Sequence, residues 1–543
     1  MFFNYFHTIR HLKLSQIYYR VKLILVKPSI NKNIDFQIRI SKNKFCQPIL
    51  KKKSLLSKNK FYFLNKIKSI LKIGWNGNNN LVSKLWRYNQ HYFDDLNAIG
   101  SLKRKKWHRK LMADWVNNNQ IGIGIGWESY PISIRAVNWI KWYISGNSFS
   151  DFFKHSLVLQ VRWLFRRLEW HLLGNHLFSN AKALIFAGLF FSTKESKTWL
   201  QKGLKIIDNE LNEQVLADGG HFELSPMYHS IFLEDLLDLI NIAKTYPKII
   251  KISQIKKWKK IAIKMLKWLD AMNHPNGDIS LFNDSANGIA PTLNQLENYA
   301  KRLGVNYSKN KFKKVTKLIN SGYIRIDSKD YTALLDVAKI GPDYLPGHAH
   351  ADTLSFEISL FRQLLLVNGG TSEYEIGSIR KFERSSRAHN TVTINNKDSS
   401  EVWSSFRVAR RAYPFELKIK ELKNLISINC SHDGYKRLRG KPIHERNWQF
   451  FQSSVVIEDQ IKGSFDNAFA YFHFHPSIKI LKKNDTILKL IMLNKKKVVL
   501  NIKKGKPFLE KSYYSPEFGK RIITKCLKVS LDKVNGSSIQ ISW

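Results

Sequence analysis

Apolar residues change their spacing partway along this 543-residue chain. From about residue 85 to 315 they recur every third or fourth position. Phe153, Leu157, Val161, Leu164, Leu168 and Leu172 form one such row, Leu233, Leu236, Ile240 and Ala243 another, and Ile261, Met265 and Leu269 a third. One face of a 3.6-residue turn carries the core, so this spacing predicts amphipathic helices. Gly, Pro and Asn punctuate them at IGIGIGWESYP (121–131), ADGGHFELSP (217–226) and NHPNGD (273–278), where loops are expected. Helix pairs joined by loops suggest an all-α layer or toroid over 85–318. Beyond about 320 the period falls to two. YIRIDS, YTALLDV, SFEISLF, LLLVNGG, NTVTINN, FFQSSVVIED and AFAYFHFHP are runs of strand length bounded by turn residues. They predict an antiparallel β-sandwich over 319–543, and with the helices a multidomain α+β chain. Residues 1–84, Lys-rich with short amphipathic stretches and closing near the polar GWNGNNN run (74–80), read as a basic N-terminal extension. Short solenoid repeats are not evident.

Charge changes this picture only at the flanks. Lys and Arg number 89 against 42 Asp and Glu, a formal charge of +47, while 43% hydrophobic and 13% aromatic residues mark a globular chain rather than a disordered basic tail. Residues 1–80 hold 17 Lys/Arg and one acid, Asp35, whereas 151–300 hold 18 basic and 15 acidic residues. The excess points to polyanions such as nucleic acid, anionic membrane or acidic polysaccharide. A Lys-, Asn- and Ile-rich bias is also what an AT-rich genome encodes. No helix-turn-helix, zinc finger or RNA-recognition module is present, so no nucleic-acid partner is expected.

Cys46, Cys430 and Cys526 stand far apart with no CxxC, which suggests neither a thiolate zinc site nor a disulfide framework. The opening MFFNYFHTIRHLKLSQIYYRVKLILVKPSI is broken by His7, Arg10, Lys13, Arg20 and Lys22 and lacks the core and cleavage site of a secretory signal. No run approaches the ~20 apolar residues of a membrane span.

Four clusters carry candidate chemistry. Gly174-Asn175-His176 sets an amide beside an imidazole after a helix expected to end near Leu172, a pair suited to stabilising an anion and moving a proton. Taken alone it also describes a helix C-cap. DGGHFELSPMYHS holds His221, Glu223, Tyr228 and His229. A phenol with an unperturbed pKa near 10 needs help to act as a base, and a tyrosine opening an amphipathic helix is also a common packing residue. In GPDYLPGHAHADTLSF, His348 and His350 lie two apart, so in extended backbone both rings project to one face. That suits two ligands of one metal, or one ligand beside one base. RKFERSSRAHNTVTINN brings Arg380, Arg384, Arg387, His389 and Asn390 together, and Arg384 and Arg387, with Glu223, are expected to contact substrate as guanidinium groups hold sulfate or carboxylate.

These clusters, in this order, resemble the heparinase II/III family of polysaccharide lyases from about Trp86 to Tyr413. RYNQHYFDDL (87–96), WESYPISIRAVNWIKW (127–142), GNHLFSNAKAL (174–184), HPNGDISLFNDSANGIAP (274–291) and EVWSSFRVARRA (401–412) support the resemblance. It implies an (α/α) toroid followed by a β-sandwich, and β-elimination on uronic-acid-containing chains. It further implies that Asn175 hydrogen-bonds the uronate carboxylate with His176 beside it, that Tyr228 exchanges protons with substrate, and that His348 is the base on the opposite face. A structural zinc is implied at His350, residue 368 and His389. Here the chain departs from the family pattern: position 368 is Asn368 where the pattern has Asp, and an amide is the weaker, uncharged ligand. Two imidazoles and an amide bind zinc weakly, or the sheet is held by hydrogen bonds alone. The resemblance implies a periplasmic location, and the missing signal leaves the cytoplasm as the alternative.

Two other classes stay open. A hydrolase on such a ring would need two carboxylates roughly 5 to 10 Å apart, for which Glu223 and Asp284 are the candidates. A non-catalytic glycan binder would grip a chain without cutting it. The expected partner in each case is an acidic polysaccharide.

Overall fold

The helical period resolves into Lys84–Tyr92, Lys105–Asn118, Ser129–Ile144, Asp151–Arg166, Gly174–Phe190, Lys194–Gln214, Pro226–Thr245, Ile252–Ala271 and Leu293–Arg302 in a computed structural model that describes residues 2–33, 35–77, 81–310, 312–534 and 536–543. Hydroxyl caps set several starts: Ser83 accepts from Trp86 N–H, Thr193 from Ser196 and Ser225 from Tyr228, each satisfying an orphan amide of a first turn. Glycines allow helix Gly174–Phe190 to lie directly on Lys194–Gln214. A Cβ at Gly188 would stand 2.7 Å from that of Leu200, and one at Gly203 2.9 Å from the Ala181 carbonyl oxygen. The row begun at Phe153 ends earlier than its period suggests. The helix stops at Arg166, and Leu168 and Leu172 lie in the turn that follows.

The strand period resolves into three main antiparallel sheets. Val315–Leu318, Tyr323–Asp327, Tyr331–Asp336, Phe356–Leu360 and Gln363–Leu366 pair in sequence order as a five-stranded sheet, which begins slightly before residue 319. An eight-stranded sheet includes Ile443–Phe450, Ser454–Lys462 and Ser537–Ser542, and a four-stranded one runs from Pro507–Glu517 to Val392–Ile394. The five-stranded sheet is the shared layer. Leu318, Tyr323 and Leu334 pack with Trp268, Met272 and Phe282 of the helical half, whereas Ile324, Ile326, Ala333, Leu335, Phe356 and Ile358 pack with the strands beyond. Both faces are covered, so strand Tyr331–Asp336 is buried throughout, while Ile443–Phe450 alternates buried and half-exposed positions.

The segment read as an extension contributes to the core. Phe36, Phe45, Leu55, Phe61, Phe63, Ile73 and Trp75 join the same apolar cluster as the helices, and Leu55–Ser57, Lys60–Phe63 and Lys66–Ser69 form a small antiparallel sheet. Residues 78–80 of the GWNGNNN run lie outside the described residues. RYNQHYFDDL supplies the anchors for this segment. Arg87 donates to the carbonyls of Ile73, Gly74 and Gly77, and Asp95 accepts from the amides of Ser54 and Leu55, from Arg104 and from His108. Burial works against the Asp95 carboxylate, but the bonds from His108, Arg104 and the two amides outweigh it and hold its pKa down to about 2 from 3.8. Cys430 and Cys526 are buried, Cys46 is partly so, and all three are free thiols.

Asp95→Ala leaves Arg104 and two amides buried without their acceptor, so we expect a loss of about 3–5 kcal/mol in urea unfolding. The contribution of Asp95 is complete above its ordinary carboxylate range and disappears as pH falls towards 2. Wild type and variant should therefore converge in stability in strong acid; a gap independent of pH would contradict the assignment.

Candidate functional site

Gly174-Asn175-His176 opens a helix rather than closing one. Leu173 and Gly174 both have positive φ, 65° and 55°, and a Cβ on Gly174 would lie 2.4 Å from Leu345 Cδ2 and 2.8 Å from Glu223 Oε1. Only glycine allows that approach, which sets Asn175 and His176 in the first turn of Gly174–Phe190 against a cavity of about 940 Å³ between the helices and the β-rich half. Pro226 at the start of Pro226–Thr245 and the Ser225 cap present Tyr228 to the same cavity, and the loop before the strand Phe356–Leu360 presents His348. Asn175, His176, Glu223, Tyr228 and His348 therefore line one space.

The Tyr228 and His348 rings stack, with centroids 3.8 Å apart and planes at 26°. Tyr228 Oη lies 3.0 Å from Tyr374 Oη, a second phenol on the cavity wall. Burial first, then the neighbouring Tyr374 and Asp284, hold the Tyr228 pKa well above 10, so at neutral pH it is a phenol and a proton donor. His348 Nδ1 lies 2.9 Å from Asp284 Oδ2. A carboxylate only accepts, so Nδ1 carries the proton and the lone pair of the neutral ring sits on Nε2, 3.6 Å from Glu223 Oε2.

Asp284 is the hub of this arrangement. It is fully buried, takes both Arg380 guanidinium nitrogens and accepts from His350 Nε2 at 2.8 Å. Burial would raise its pKa, yet the Arg380 charge and the imidazole bonds outweigh that and hold it well below 3.8. Glu223 is its opposite. Burial pushes its carboxyl up, Oε1 accepts the backbone N–H of Asn175 at 3.4 Å, and buried Oε2 has no hydrogen-bond partner among the described residues. His176 is pulled down by burial, but the Glu169 carboxylate at 3.1 Å more than offsets this and its pKa is raised. The side-chain amide of Asn175 has no protein partner among the described residues.

Deeper cations on the cavity wall are already matched. Lys182 bridges Asp235 and Asp238 at 2.6 Å, Lys141 reaches Asp238 at 2.5 Å, and Lys51 reaches Glu234 at 2.6 Å. Lys52 and Lys53 are exposed at the rim.

Two expected substrate contacts are corrected. Arg384 is buried and spends its donors on the carbonyls of Ala349, Trp403, Ser404 and Arg407, because that loop offers acceptors and no anion. Arg387 is exposed on the turn Ser386–Ala388, away from the cavity. Asn390 is likewise structural, bonding Phe356 O, Val367 O and His473 N. Missed from sequence were Tyr374, which nothing in NGGTSEYEIG distinguishes, and the positioning part of Asp284, weighed there only as a hydrolase carboxylate. With Arg380 and two histidines on it, Asp284 is not free to activate water.

His350, Asn368 and His389 are neighbours, but not around one point. His350 Nδ1 faces His389 Nε2 at 3.1 Å, while the Asn368 amide oxygen meets His389 on its other nitrogen, Nδ1, at 3.1 Å and takes the Ser355 hydroxyl. No group of three His, Cys, Asp or Glu able to hold a cation occurs among the described residues. As placed, the three side chains do not surround one point, and no step below is routed through a metal.

Two family models match. Residues 13–311 match the heparinase II/III N-terminus and 312–543 the heparinase II/III-like C-terminal domain. A heparin-sulfate lyase of Bacteroides stercoris is 27% identical over 313 residues, 54% of this chain and 44% of its own length, and one of Pedobacter heparinus is 24% identical over 322 residues, 53% and 47%. The aligned region thus spans less than half of each curated relative. Among solved structures, a heparinase III superposes with a TM-score of 0.70 at 16% identity, covering 86% of this chain and 79% of that one. A heparan sulfate lyase mutant from Pedobacter heparinus gives 0.60 at 18%, covering 97% and 87%. At these identities the likeness concerns the fold, a helix-rich region followed by an antiparallel β-rich one.

Dialysis against a chelator should leave the unfolding temperature of the purified chain unchanged, because the three side chains are not arranged around one point. A large drop that added zinc restores would show that the three side chains do close on an ion.

Proposed function

The chain belongs to the heparinase II/III family, and on that premise we propose that it is a polysaccharide lyase cleaving an acidic, uronic-acid-containing polysaccharide by β-elimination. The observation that carries this reading is the convergence of an unpartnered amide, a stacked phenol–imidazole pair and an up-shifted carboxyl in one cavity: Asn175, Tyr228, His348 and Glu223. The finer architecture that goes with it is an (α/α) toroid whose groove is closed by a β-sandwich.

The difficulty of the reaction sets what each group must do. The proton at C5 lies α to a carboxylate, and removing it places further negative charge on a group already anionic. Hydrogen bonds that neutralise the carboxylate lower that barrier. In the proposed site the Asn175 side-chain amide donates to the uronate, and the Glu223 carboxyl, whose pKa burial raises, lines the same cavity beside it. His348 takes the C5 proton on Nε2, with Asp284 holding the ring through Nδ1. The C5 electron pair forms the C4=C5 bond, the C4–O bond breaks, and Tyr228 gives its proton to the departing oxygen. No water is consumed. The tyrosinate left behind accepts from the Tyr374 hydroxyl at 3.0 Å and is reprotonated from solvent. His176, held by Glu169, adds positive potential beside Asn175.

Tyr228→Phe should abolish the ultraviolet absorbance of unsaturated uronate that wild type generates from an acidic glycan, with unchanged unfolding; near-normal rates would remove Tyr228 from the reaction. Tyr374→Phe keeps the ring packing and removes one hydroxyl. We expect kcat to fall about 100-fold with little change in KM, and most of the loss to vanish on a substrate with a good leaving group, since the tyrosinate then forms less fully.

A further inference from the structure

Helices Phe2–Ile9 and Leu14–Leu25 lie across both halves of the molecule, and their inner face is docked. Thr8 Oγ1 donates to Val408 O at 3.2 Å and accepts from Trp403 Nε1 at 3.1 Å, and the Tyr5 ring meets Trp403 edge-on at 4.8 Å. Gln16, buried, donates to Tyr344 O at 3.3 Å, Lys13 pairs with Glu213, Tyr19 stacks on Trp170, and Arg167 donates to Leu23 O at 3.0 Å. The helices are therefore seated, not displaced.

The outer face is apolar. Leu14, Ile24 and Leu25 are 83%, 80% and 76% exposed, and Ile17, Tyr18 and Val21 lie between them on the same side. At about 100° per residue these six positions occupy an arc about 120° wide. Arg20 and Lys22 fall about 40° outside its two edges, so a cation flanks the stripe on each side and both are exposed. Phe6 and Ile9 extend the exposed apolar surface onto the first helix. Charge in this region has one sign: Arg10, Lys13, Arg20, Lys22, Lys27 and Lys32 occur in residues 1–34 without an Asp or Glu.

An amphipathic helix of a globular protein turns its apolar stripe inward. This one turns inward Gln16, Tyr19 and Leu23, and outward its aliphatic row. We propose that this face seats on the surface of an anionic lipid bilayer, with the aliphatic row entering the headgroup–acyl boundary and Arg20, Lys22 and Lys27 meeting the lipid phosphates. A continuous apolar arc with cations along both edges matches a planar interface that is apolar below and anionic at headgroup level. A second copy of this chain fits poorly, because an isologous contact would bring the same cations against each other. No helix among the described residues is long and apolar enough to cross a membrane, so attachment is to the surface. The docked inner face touches Tyr344 and the Trp403–Val408 hairpin, which leaves the outer face free for the bilayer. The inference rests on the exposed face and its charges, not on the lyase reading.

Flotation of the full chain with vesicles tests it. We expect binding to phosphatidylcholine–phosphatidylglycerol vesicles and at least about tenfold less to phosphatidylcholine alone, with high salt releasing the protein. Ile24→Asp combined with Leu25→Asp, and separately Leu14→Asp, should each weaken binding about tenfold or more with unchanged thermal unfolding. Three outcomes overturn the proposal: no flotation of wild type, flotation unaffected by either variant, or a dimer in sedimentation that the variants dissolve while wild type ignores vesicles.

Discussion

A single buried carboxylate, Asp284, organises the site. It lies in the loop after the Ile252–Ala271 helix and is held by Arg380 from the β-rich half, so this ion pair ties the two halves together at the site. A lone charge at that depth would be prohibitively costly, and it is the two guanidinium bonds and two imidazole bonds together that keep Asp284 ionised. The same bonds dictate which nitrogen of His348 faces the cavity. The orientation of the proposed base is thus a consequence of how the halves join, and the stacked Tyr228 ring completes the constraint from the helical side.

Arginine serves this molecule mainly as an internal connector. Arg87 gathers the carbonyls that seat the N-terminal segment, Arg384 gathers those of the loops around Ala349 and Ser404, and Arg446 joins Asp459 to the carbonyls of Leu354 and Asn390. A planar group with five donors suits loops that present several carbonyls at once. A net charge of +47 therefore overstates what a polyanion would meet in the cavity, where Lys51, Lys141 and Lys182 already have carboxylate partners. Unpaired cations lie at the surface, among them Lys52 and Lys53 at the rim and Arg20 and Lys22 on the N-terminal helices, where solvent stabilises them and where attraction over a Debye length is useful.

The neighbourhood of His350 shows how one atom type alters a local design. Asn368 accepts the Ser355 hydroxyl and lies beside His389, His389 lies beside His350, and His350 donates to Asp284. This row of buried polar groups runs from the sheet to the hub of the site with an uncharged amide at position 368.

Periodicity alone located the helical and β-rich regions, because apolar burial repeats at 3.6 or 2 residues whatever the partner. It also placed Tyr228 at a helix start, since Ser225 and Pro226 are local signals, and the pairing of His348 with His350, since two-residue spacing turns both rings to one carboxylate. Local pattern misled at Leu168 and Leu172, which keep the helical period in a turn, and at Gly174, read as following a helix that it opens. It misled again at 1–84, where basic residues interleaved with Phe61, Phe63 and Trp75 concealed a core segment, and at Arg384, whose acceptors are backbone atoms that a sequence does not display. Tyr374 and the hub function of Asp284 depend on contacts between residues more than sixty positions apart. Local propensities carry the elements, whereas hydrogen-bond partners, burial and ring orientation depend on which distant segments meet, and that was decided only when the helical and β-rich halves closed on each other.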